Sequence, residues 1–326
     1  MILVLPHALP PAPVARELGN RLMAAAPTLA SWLASAPARM EVLDPSVHAC
    51  TPLQSWQLRH AGYAPPDGVP LGAGWPVLET GTQHDAPAAH EPMWLAAFVH
   101  LHVTQHGVTL TDPARLGLEP EEAARLLDTA RPDLDEEGIR AELLGDRLRL
   151  FLPDSLAPYA PTLQAATGQE IQEWWPQGAA SRPWRRVLNV VQMAWHGDPV
   201  NVERAARGKP PVNGLWLYGG GRPADFHQAD PAPFKLAADF SAPAAAGDWS
   251  AWLDAAARLE AETFAPLSAT TPPATLELVL TGDDRLCTLT PQAPRGFARW
   301  LPRRRHDWQS WWNAQQEPAA DGSSAS

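Results

Sequence analysis

Apolar residues recur at helical spacing near the start of the chain, at Val14, Leu18, Leu22, Leu29 and Leu33. An apolar residue every three or four positions is typical of a helix that buries one face. Because Pro27 interrupts the series, we predict two consecutive helices with a break at the proline. The short apolar run from Ile2 to Leu5 in front of them predicts a first β-strand.

Further along the chain, apolar and polar residues alternate, which is the pattern of a strand with one buried face. Such runs come in pairs around turn signals, for example around Gly145-Asp146 and around Gly282-Asp283-Asp284. The pairs are Trp94 to Thr104 with Gly107 to Thr111, Ile139 to Leu144 with Arg147 to Leu152, and Leu276 to Thr281 with Arg285 to Leu289. Hairpins interspersed with helices predict an α+β fold, with a mixed, largely antiparallel sheet and helices packed on it.

A stretch rich in proline, glycine and alanine, residues 62–92, separates the first helices from the first strand pair. Such a composition favours a long loop or linker. We therefore expect an N-terminal α/β segment with its linker over residues 1–91 and an α+β domain over residues 92–316. The polar end of the chain, residues 317–326, is expected to be a disordered tail.

The chain is proline-rich and tryptophan-rich, with 36 prolines and 15 tryptophans among 326 residues. Prolines cut a chain into short elements and argue against long helices or coiled coils. Large aromatic side chains fill cores, and they also anchor protein interfaces. The tryptophans therefore leave two interpretations open: an aromatic core, or a surface that binds a protein partner.

The formal net charge of -11 excludes a general attraction to nucleic acid or to anionic lipid. Cys50 and Cys287 are too few for a disulfide framework or a cysteine zinc site. The start of the chain lacks the basic region of a signal peptide, and no apolar run reaches the roughly 18 residues of a membrane span. We expect a cytoplasmic protein with no cofactor and no nucleic-acid or membrane partner.

The segment from Trp184 to His196 predicts a helix with two distinct faces. One face is apolar, and the other carries Arg185, Asn189, Gln192 and His196 at steps of three and four. Asparagine and glutamine amides both donate and accept hydrogen bonds. This face therefore has two interpretations: a buried polar stripe that ties down neighbouring loops, or a stripe that faces a ligand.

Further polar residues and glycines follow that helix. Asn201 and Arg204 lie one helical turn apart, and the strand from Leu215 to Tyr218 runs into glycines whose backbone amides suit an anion. We predict that a candidate set converges on one cleft for a small anionic metabolite: Asn189, Gln192, Asn201, Arg204, Asn213, Gly219, Gly220, Gly221 and Arg222. The competing interpretation is a structural knot, in which the asparagines cap helices and turns and Arg204 binds carbonyl oxygens.

Part of this segment resembles a known family. The residues that carry the resemblance are Asp198-Pro199-Val200-Asn201, Arg204, Gly208, Pro211-Val212-Asn213, Trp216-Leu217 and Gly219 to Gly221. They are similar to the signature of a proteobacterial family whose members are described as uncharacterised, phosphoglycerate-mutase-like, or "regulator of pathogenicity factors, type E". A related pattern occurs in archaeal-type cofactor-independent phosphoglycerate mutases. The resemblance covers residues 92–225 and implies a counterpart of the mutase's inserted substrate-side domain rather than of its metal domain.

A mutase of that type needs two divalent metals and a serine or threonine nucleophile. Here the first strand is followed by Pro6-His7-Ala8, without an aspartate–glycine metal turn. His100, His102 and His106 are the best alternative metal ligands, but no acidic residue completes them. We therefore predict no metal site and no catalytic residue.

The sequence thus predicts a non-catalytic ligand-binding or regulatory protein, related to the substrate-side domain of a phosphoglycerate mutase. Two alternatives remain open. One is a phosphoglycerate-mutase-type phosphoryl-transfer enzyme, and the other is a tryptophan-rich protein-interaction module.

Overall fold

The structure is a computed structural model, and it describes residues 1–81, 89–105, 107–111, 113–153, 156, 159–171, 182–227, 231–271, 275–291 and 306–313. The tail expected over residues 317–326 lies outside these ranges. The strands are β1 (Ile2–Leu5), β2 (Arg39–Val42), β3 (Met93–Val99), β4 (Leu101–Val103), β5 (Val108–Leu110), β6 (Arg140–Leu144), β7 (Arg147–Phe151), β8 (Gly214–Gly221), β9 (Phe234–Leu236), β10 (Glu277–Thr281) and β11 (Arg285–Leu289).

The helices alternate with these strands along the sequence. The α-helices are α1 (Ala12–Ala25), α2 (Pro27–Leu33), α3 (Pro45–His48), α4 (Pro52–His60), α5 (Trp75–Thr80), α6 (Pro113–Leu116), α7 (Pro120–Glu136), α8 (Leu163–Ala166), α9 (Arg182–His196), α10 (Pro199–Ala206), α11 (Ser241–Ala246), α12 (Trp249–Leu259), α13 (Ala265–Thr270) and α14 (Trp308–Trp312). Short 3-10 helices cover Leu71–Gly74 and Pro223–Asp225, and a π-helical turn, Glu260–Phe264, continues α12. In the described part of the chain, no helix is long and apolar enough to cross a membrane.

The chain folds into two compact units. The first combines Met1–Leu43 with Ala232–Ser326, and the second is Asp44–Pro231. The boundary expected after residue 91 therefore falls inside the second unit. Strand β1 pairs with β9 and β10, so the start of the chain shares one sheet with strands that follow residue 231. The first unit therefore combines the beginning of the chain with its last part. The stretch expected as a linker also contains α5, a helix of the second unit.

The first unit is built on a five-stranded mixed sheet in the order β2-β11-β10-β1-β9. Strand β1 is parallel to both of its neighbours, whereas β10 and β11 form the predicted antiparallel hairpin. Helices α1, α2, α12 and α14 pack on this sheet around buried aromatic side chains such as Trp252 and Trp312. Both indoles are fully satisfied, since they donate to the carbonyl oxygens of His7 and Ala15 at 3.0 Å.

The second unit is built on a four-stranded antiparallel sheet in the order β6-β7-β3-β8. Every residue of β3 is buried, because both faces of the sheet are covered. Helices α7 and α9 pack on one face, and α5 and α8 pack on the other. The hairpin predicted around Gly145-Asp146 is present as β6 and β7. The α+β prediction is therefore confirmed, with one mixed and one antiparallel main sheet.

The strand predicted from Trp94 to Thr104 is broken into two. Strand β3 pairs with β8, and the chain then changes partner at His100 so that β4 pairs with β5. This change of strand partner depends on tertiary contacts, which the alternation of apolar and polar residues along the sequence does not reveal.

Most of the described tryptophans are buried, and the others, Trp75, Trp249 and Trp311, are half-buried.

Trp216 provides a test of the packing of β8. It is 2% exposed, and its indole donates to the Pro161 carbonyl oxygen at 2.8 Å. We expect Trp216→Ala to lower the free energy of unfolding by about 3–5 kcal/mol, because it leaves a large cavity. Trp216→Phe keeps most of the ring packing and should cost less. Urea denaturation measures both, and an alanine variant as stable as the wild type would show that the ring is not packed.

Candidate functional site

The polar face of α9 is open to solvent. The helix buries Trp184, Val187 and Trp195, whereas Asn189 and Gln192 are exposed. The interpretation of these two amides as a buried stripe therefore does not hold. They lie on the side of α9 that faces away from the core, and the structure does not bring them to the rest of the candidate set.

Asn201 ties the end of α9 to the segment that leads into β8. Its amide nitrogen donates to the carbonyl oxygens of Trp195 and Val212, both at 2.8 Å. Its amide oxygen accepts from the Val212 N–H, also at 2.8 Å. The side chain is buried, and its hydrogen bonds go to the protein's own backbone. Asn201 therefore has a structural role.

Arg204 is fully buried, with 0% exposure. Its Nε donates to the Pro210 carbonyl oxygen at 2.9 Å, and its terminal nitrogens donate to the Leu116 carbonyl oxygen and to Glu122. A guanidinium is suited to this role, because its planar fork holds several acceptors at once. The fork joins α10, α7 and the connector before β8.

Glu122 receives a second cation, since Arg207 donates to its other carboxylate oxygen. Burial raises the pKa of Glu122, but hydrogen bonds from the Glu119 backbone, Arg207 and Arg204 lower it further than burial raises it. The net effect is a pKa below the ordinary value of 4.5. Glu122 is therefore a carboxylate in the folded protein, and the buried charge of Arg204 is compensated.

Asn213 holds the point at which β3 gives way to β4. Its amide oxygen accepts from the Leu101 N–H at 2.7 Å, and its amide nitrogen donates to the Leu101 carbonyl oxygen at 2.9 Å. The side chain thus replaces a strand partner for one residue. Asn201, Arg204 and Asn213 together match the structural knot that was the competing interpretation of the sequence.

The three glycines lie within β8, not in a turn after it. The pairing register shifts between Met93 and Trp94, which face Gly221 and Gly219, so that Gly220 is an extra residue of a β-bulge. Gly219 and Gly220 have positive φ angles of 116° and 100°. All three are buried, so the expected open nest of backbone donors is corrected to a bulged, closely packed strand end.

Neighbouring groups occupy the space where side chains would lie on these glycines. A Cβ atom on Gly219 would come within 2.5 Å of the Met93 carbonyl oxygen, and one on Gly220 within 2.6 Å of the Trp94 ring. One on Gly221 would lie 2.8 Å from the Tyr63 hydroxyl oxygen. Glycine is therefore required here both by backbone conformation and by close approach.

The candidate set does not meet in one cleft. Asn213 precedes the first residue of β8 and Gly221 is its last. At ~3.3 Å per residue these ends are roughly 25 Å apart. The knot therefore lies at one end of β8 and the glycines with Arg222 at the other, while the two exposed amides of α9 belong to neither group.

Polar and aromatic side chains gather where β8 ends. Arg222 is exposed, and its backbone N–H donates to Asp225 at 2.9 Å. Tyr63 is 4% exposed and packs against Phe226 at 4.8 Å between ring centroids. Burial raises the pKa of the Tyr63 hydroxyl, as do the nearby Asp225 and Tyr159, whereas Arg222 lowers it. We call the three glycines Gly219, Gly220 and Gly221, together with Tyr63, Arg222, Asp225 and Phe226, the glycine end.

Two buried donors near the glycine end have no hydrogen-bond partner. They are the Tyr63 hydroxyl and the Trp75 indole nitrogen. Tyr63 contacts Gly74 and Gly221, and Trp75 follows Gly74 directly in the chain. The Arg147 Nε also lacks a hydrogen bond, but it lies 3.7 Å from the Asp146 carboxylate, and the same guanidinium donates to Glu79 and to the Tyr218 hydroxyl. A buried donor without a partner is rare in folded proteins and costs about 1–3 kcal/mol.

Sequence reasoning missed Tyr63, Trp75 and Tyr159. They lie more than fifty residues before the glycines, and no motif links them to β8. A run of three glycines on a buried strand does indicate that bulky groups approach closely. It does not say which groups, because that depends on how distant segments pack.

The described residues contain no group of three or more histidine, cysteine, aspartate or glutamate side chains that could hold a metal. His100 instead has its Nδ1 2.8 Å from the Pro211 carbonyl oxygen, and His106 lies outside the described residues. Burial raises the pKa values of Cys50 and Cys287 to about 12, so both are thiols at neutral pH.

Comparison with known proteins gives one sequence relative. Over 152 residues, 46% of this chain, the sequence is 26% identical to the 2,3-bisphosphoglycerate-independent phosphoglycerate mutase of Methanosarcina mazei. The match covers 37% of that enzyme, so the chain spans little more than a third of its relative. No family model matches the chain.

Two solved structures are also similar. A cofactor-independent phosphoglycerate mutase from Thermoplasma acidophilum has a TM-score of 0.36 at 17% identity, with 88% of each chain covered. A protein from Pyrococcus horikoshii has a TM-score of 0.45 at 11% identity, covering 90% of this chain and 87% of the other. The sequence match alone indicates weak homology to cofactor-independent phosphoglycerate mutase. The resemblance to the proteobacterial family stays a prediction.

Arg204 and Arg207 form a matched pair for testing the knot, because both donate to Glu122 but only Arg204 is fully buried. Arg204→Lys should lower the free energy of unfolding by about 2–4 kcal/mol, because lysine cannot reach three acceptors at once. Arg207→Lys, at a half-exposed position, should cost less than about 1 kcal/mol. Both are measured by urea denaturation without added ligand. Equal costs would contradict a structural role for the Arg204 fork.

The lowered pKa of Glu122 predicts a pH dependence. Its contribution to stability is fully present above the ordinary value of 4.5 and is lost as the pH falls through the lower folded-state value. The stability difference between wild type and Glu122→Gln should therefore shrink as the pH falls below 4.5. Glu121→Gln, which changes the exposed neighbouring carboxylate of α7, is the control. A difference that stays constant across this range would mean that Glu122 is not a paired carboxylate.

Proposed function

We propose that this protein is a non-catalytic ligand-binding or regulatory protein, related to part of a phosphoglycerate mutase, and that it binds a small anionic metabolite at the glycine end. The observation that carries the proposal is the pair of buried donors without a hydrogen-bond partner, Tyr63 and Trp75, near the end of β8 that the exposed Arg222 follows. The proposal keeps Gly219, Gly220, Gly221 and Arg222 from the candidate set.

The donors favour an anion because both unpaired side-chain groups can donate a hydrogen bond, one through a tyrosine O–H and the other through an indole N–H. A phosphate or carboxylate offers only acceptors to them. Its oxygens, or a water that it orders, would satisfy donors that are otherwise buried at a cost.

Arg222 is the group that a ligand meets first. It is exposed at the end of β8, and the Tyr63 hydroxyl packs against the preceding residue, Gly221. An arginine fork binds a phosphate or carboxylate through two parallel hydrogen bonds. The close packing of the glycines fixes the backbone from which Arg222 projects, so the cation is held near the buried donors.

The sequence relative supports the class of ligand. The Methanosarcina mazei enzyme is named a phosphoglycerate mutase, and a phosphoglycerate carries both a phosphate and a carboxylate. The knot residues stabilise the second unit through internal hydrogen bonds, a role that does not require catalysis.

A second candidate function is phosphoryl transfer of the mutase type. It is favoured by the identity of 26% over 152 residues. We expect no conversion of 3-phosphoglycerate above a heat-inactivated control, with or without Mn²⁺. Turnover that a chelator abolishes would contradict the non-catalytic proposal and support this alternative.

Isothermal titration calorimetry tests binding with 3-phosphoglycerate and with inorganic phosphate as probes. We expect Arg222→Ala to weaken 3-phosphoglycerate binding at least about ten-fold, because it removes a charge-assisted fork. Tyr63→Phe should weaken it by a smaller factor. Arg16→Ala, an exposed arginine on α1 in the first unit, is the control and should leave binding unchanged.

Two results would overturn the proposal. One is wild-type protein that binds neither probe. The other is binding that Arg222→Ala and Arg16→Ala weaken equally, since that would reflect general charge and not a site. Circular dichroism of each variant shows that the fold is retained.

A further inference from the structure

Tyr159 presents an aromatic surface at the glycine end. Its side chain is 43% exposed, although it stacks on the buried ring of Trp94 with centroids 5.9 Å apart and planes at 29°. The described tryptophans are buried or half-buried, so a tyrosine this exposed stands out among the aromatic side chains of the second unit. Trp94 packs against part of the ring, and the exposed part is open to contact with another ring.

Gly220 fixes the position of this aromatic surface. A Cβ atom there would lie 2.6 Å from the Trp94 ring and 3.1 Å from the Tyr159 ring. The bulged backbone therefore packs against both rings and leaves no room for a larger residue. A ring that is already held by its neighbours loses little freedom when a ligand stacks on it, which favours binding.

The aromatic surface and the anion-binding groups belong to one place. The hydroxyl of Tyr63 is close enough to Tyr159, Arg222 and Asp225 for all three to influence its ionisation. Gly220 contacts Tyr159, the next residue contacts Tyr63, and the one after that is Arg222. Side chains two residues apart in an extended chain project to the same side, so Arg222 leaves β8 on the side where Gly220 contacts Tyr159. A ligand held by Arg222 therefore lies on the same side of β8 as the Tyr159 ring.

We infer that the anionic ligand carries an aromatic ring, which stacks on Tyr159 while its phosphate or carboxylate binds Arg222. The inference rests on the proposed function and narrows it to aryl or heteroaryl anions. A purely aliphatic acid such as a phosphoglycerate fills the anion position but leaves the aromatic surface uncovered. Aromatic stacking of this kind strengthens binding about three- to ten-fold.

Two matched pairs of probes test this by isothermal titration calorimetry: phenyl phosphate against methyl phosphate, and benzoate against acetate. Within each pair the anion is the same and only the ring differs. We expect the ring to improve affinity about three- to ten-fold in the pair whose anion the site prefers. The preferred pair identifies the anion as phosphate or carboxylate.

Variants assign the effect to named side chains. Tyr159→Leu, which keeps an apolar side chain, should abolish the advantage of the ring, whereas Tyr159→Phe should retain it. Arg222→Ala should weaken both members of the preferred pair by the same factor. Arg16→Ala should change nothing.

The outcomes separate the two proposals. Equal affinity for the ring-bearing and ring-free probes would overturn this inference and leave the proposed anion site intact. A ring advantage that persists in Tyr159→Leu would also overturn it, because the ring would then bind elsewhere. Failure of every probe to bind would overturn the proposed function, and this inference with it.

Discussion

The antiparallel pairing of β8 with β3 is the constraint on which the second unit depends. Strand β3 is buried at every position, and β8 is buried along its whole length beside it. The two strands run together from Val99 and Gly214 to Met93 and Gly221. The pairing is regular at one end and bulged at the other, and a different kind of polar group lies at each end. The length of β8 places the two ends roughly 25 Å apart.

At the regular end, polar groups stabilise the fold. Arg204 is buried on Glu122 and on backbone carbonyl oxygens, and Asn201 and Asn213 complete backbone hydrogen bonds that the turns leave open. At the bulged end, glycines let Tyr63 and Trp94 approach the backbone, and donors there have no partner. Buried polar groups that have all their hydrogen-bond partners stabilise the folded state. Buried donors without partners lower its stability, and a ligand that binds them restores it.

Much of the fold follows from local patterns in the sequence. Helical spacing predicts α1 and α2, and the turn signals predict both long hairpins, because these features depend on neighbouring residues. The grouping of the chain ends does not follow, since β1 pairs with strands more than two hundred residues away. The amides of α9 have the right spacing for a shared face, but spacing does not say whether a face is covered. For the candidate site, the glycines and Arg222 were identifiable, whereas Tyr63 and Tyr159 were not.

The central claim is that ligand binding occurs at the bulged end of β8 and not at the knot. The most direct measurement is a backbone amide NMR titration with 3-phosphoglycerate. We expect saturable shifts confined to the amides of Gly220, Gly221 and Arg222 and their neighbours. Saturable shifts centred on Asn201, Arg204 and Asn213, or on the exposed face of α9, would contradict it.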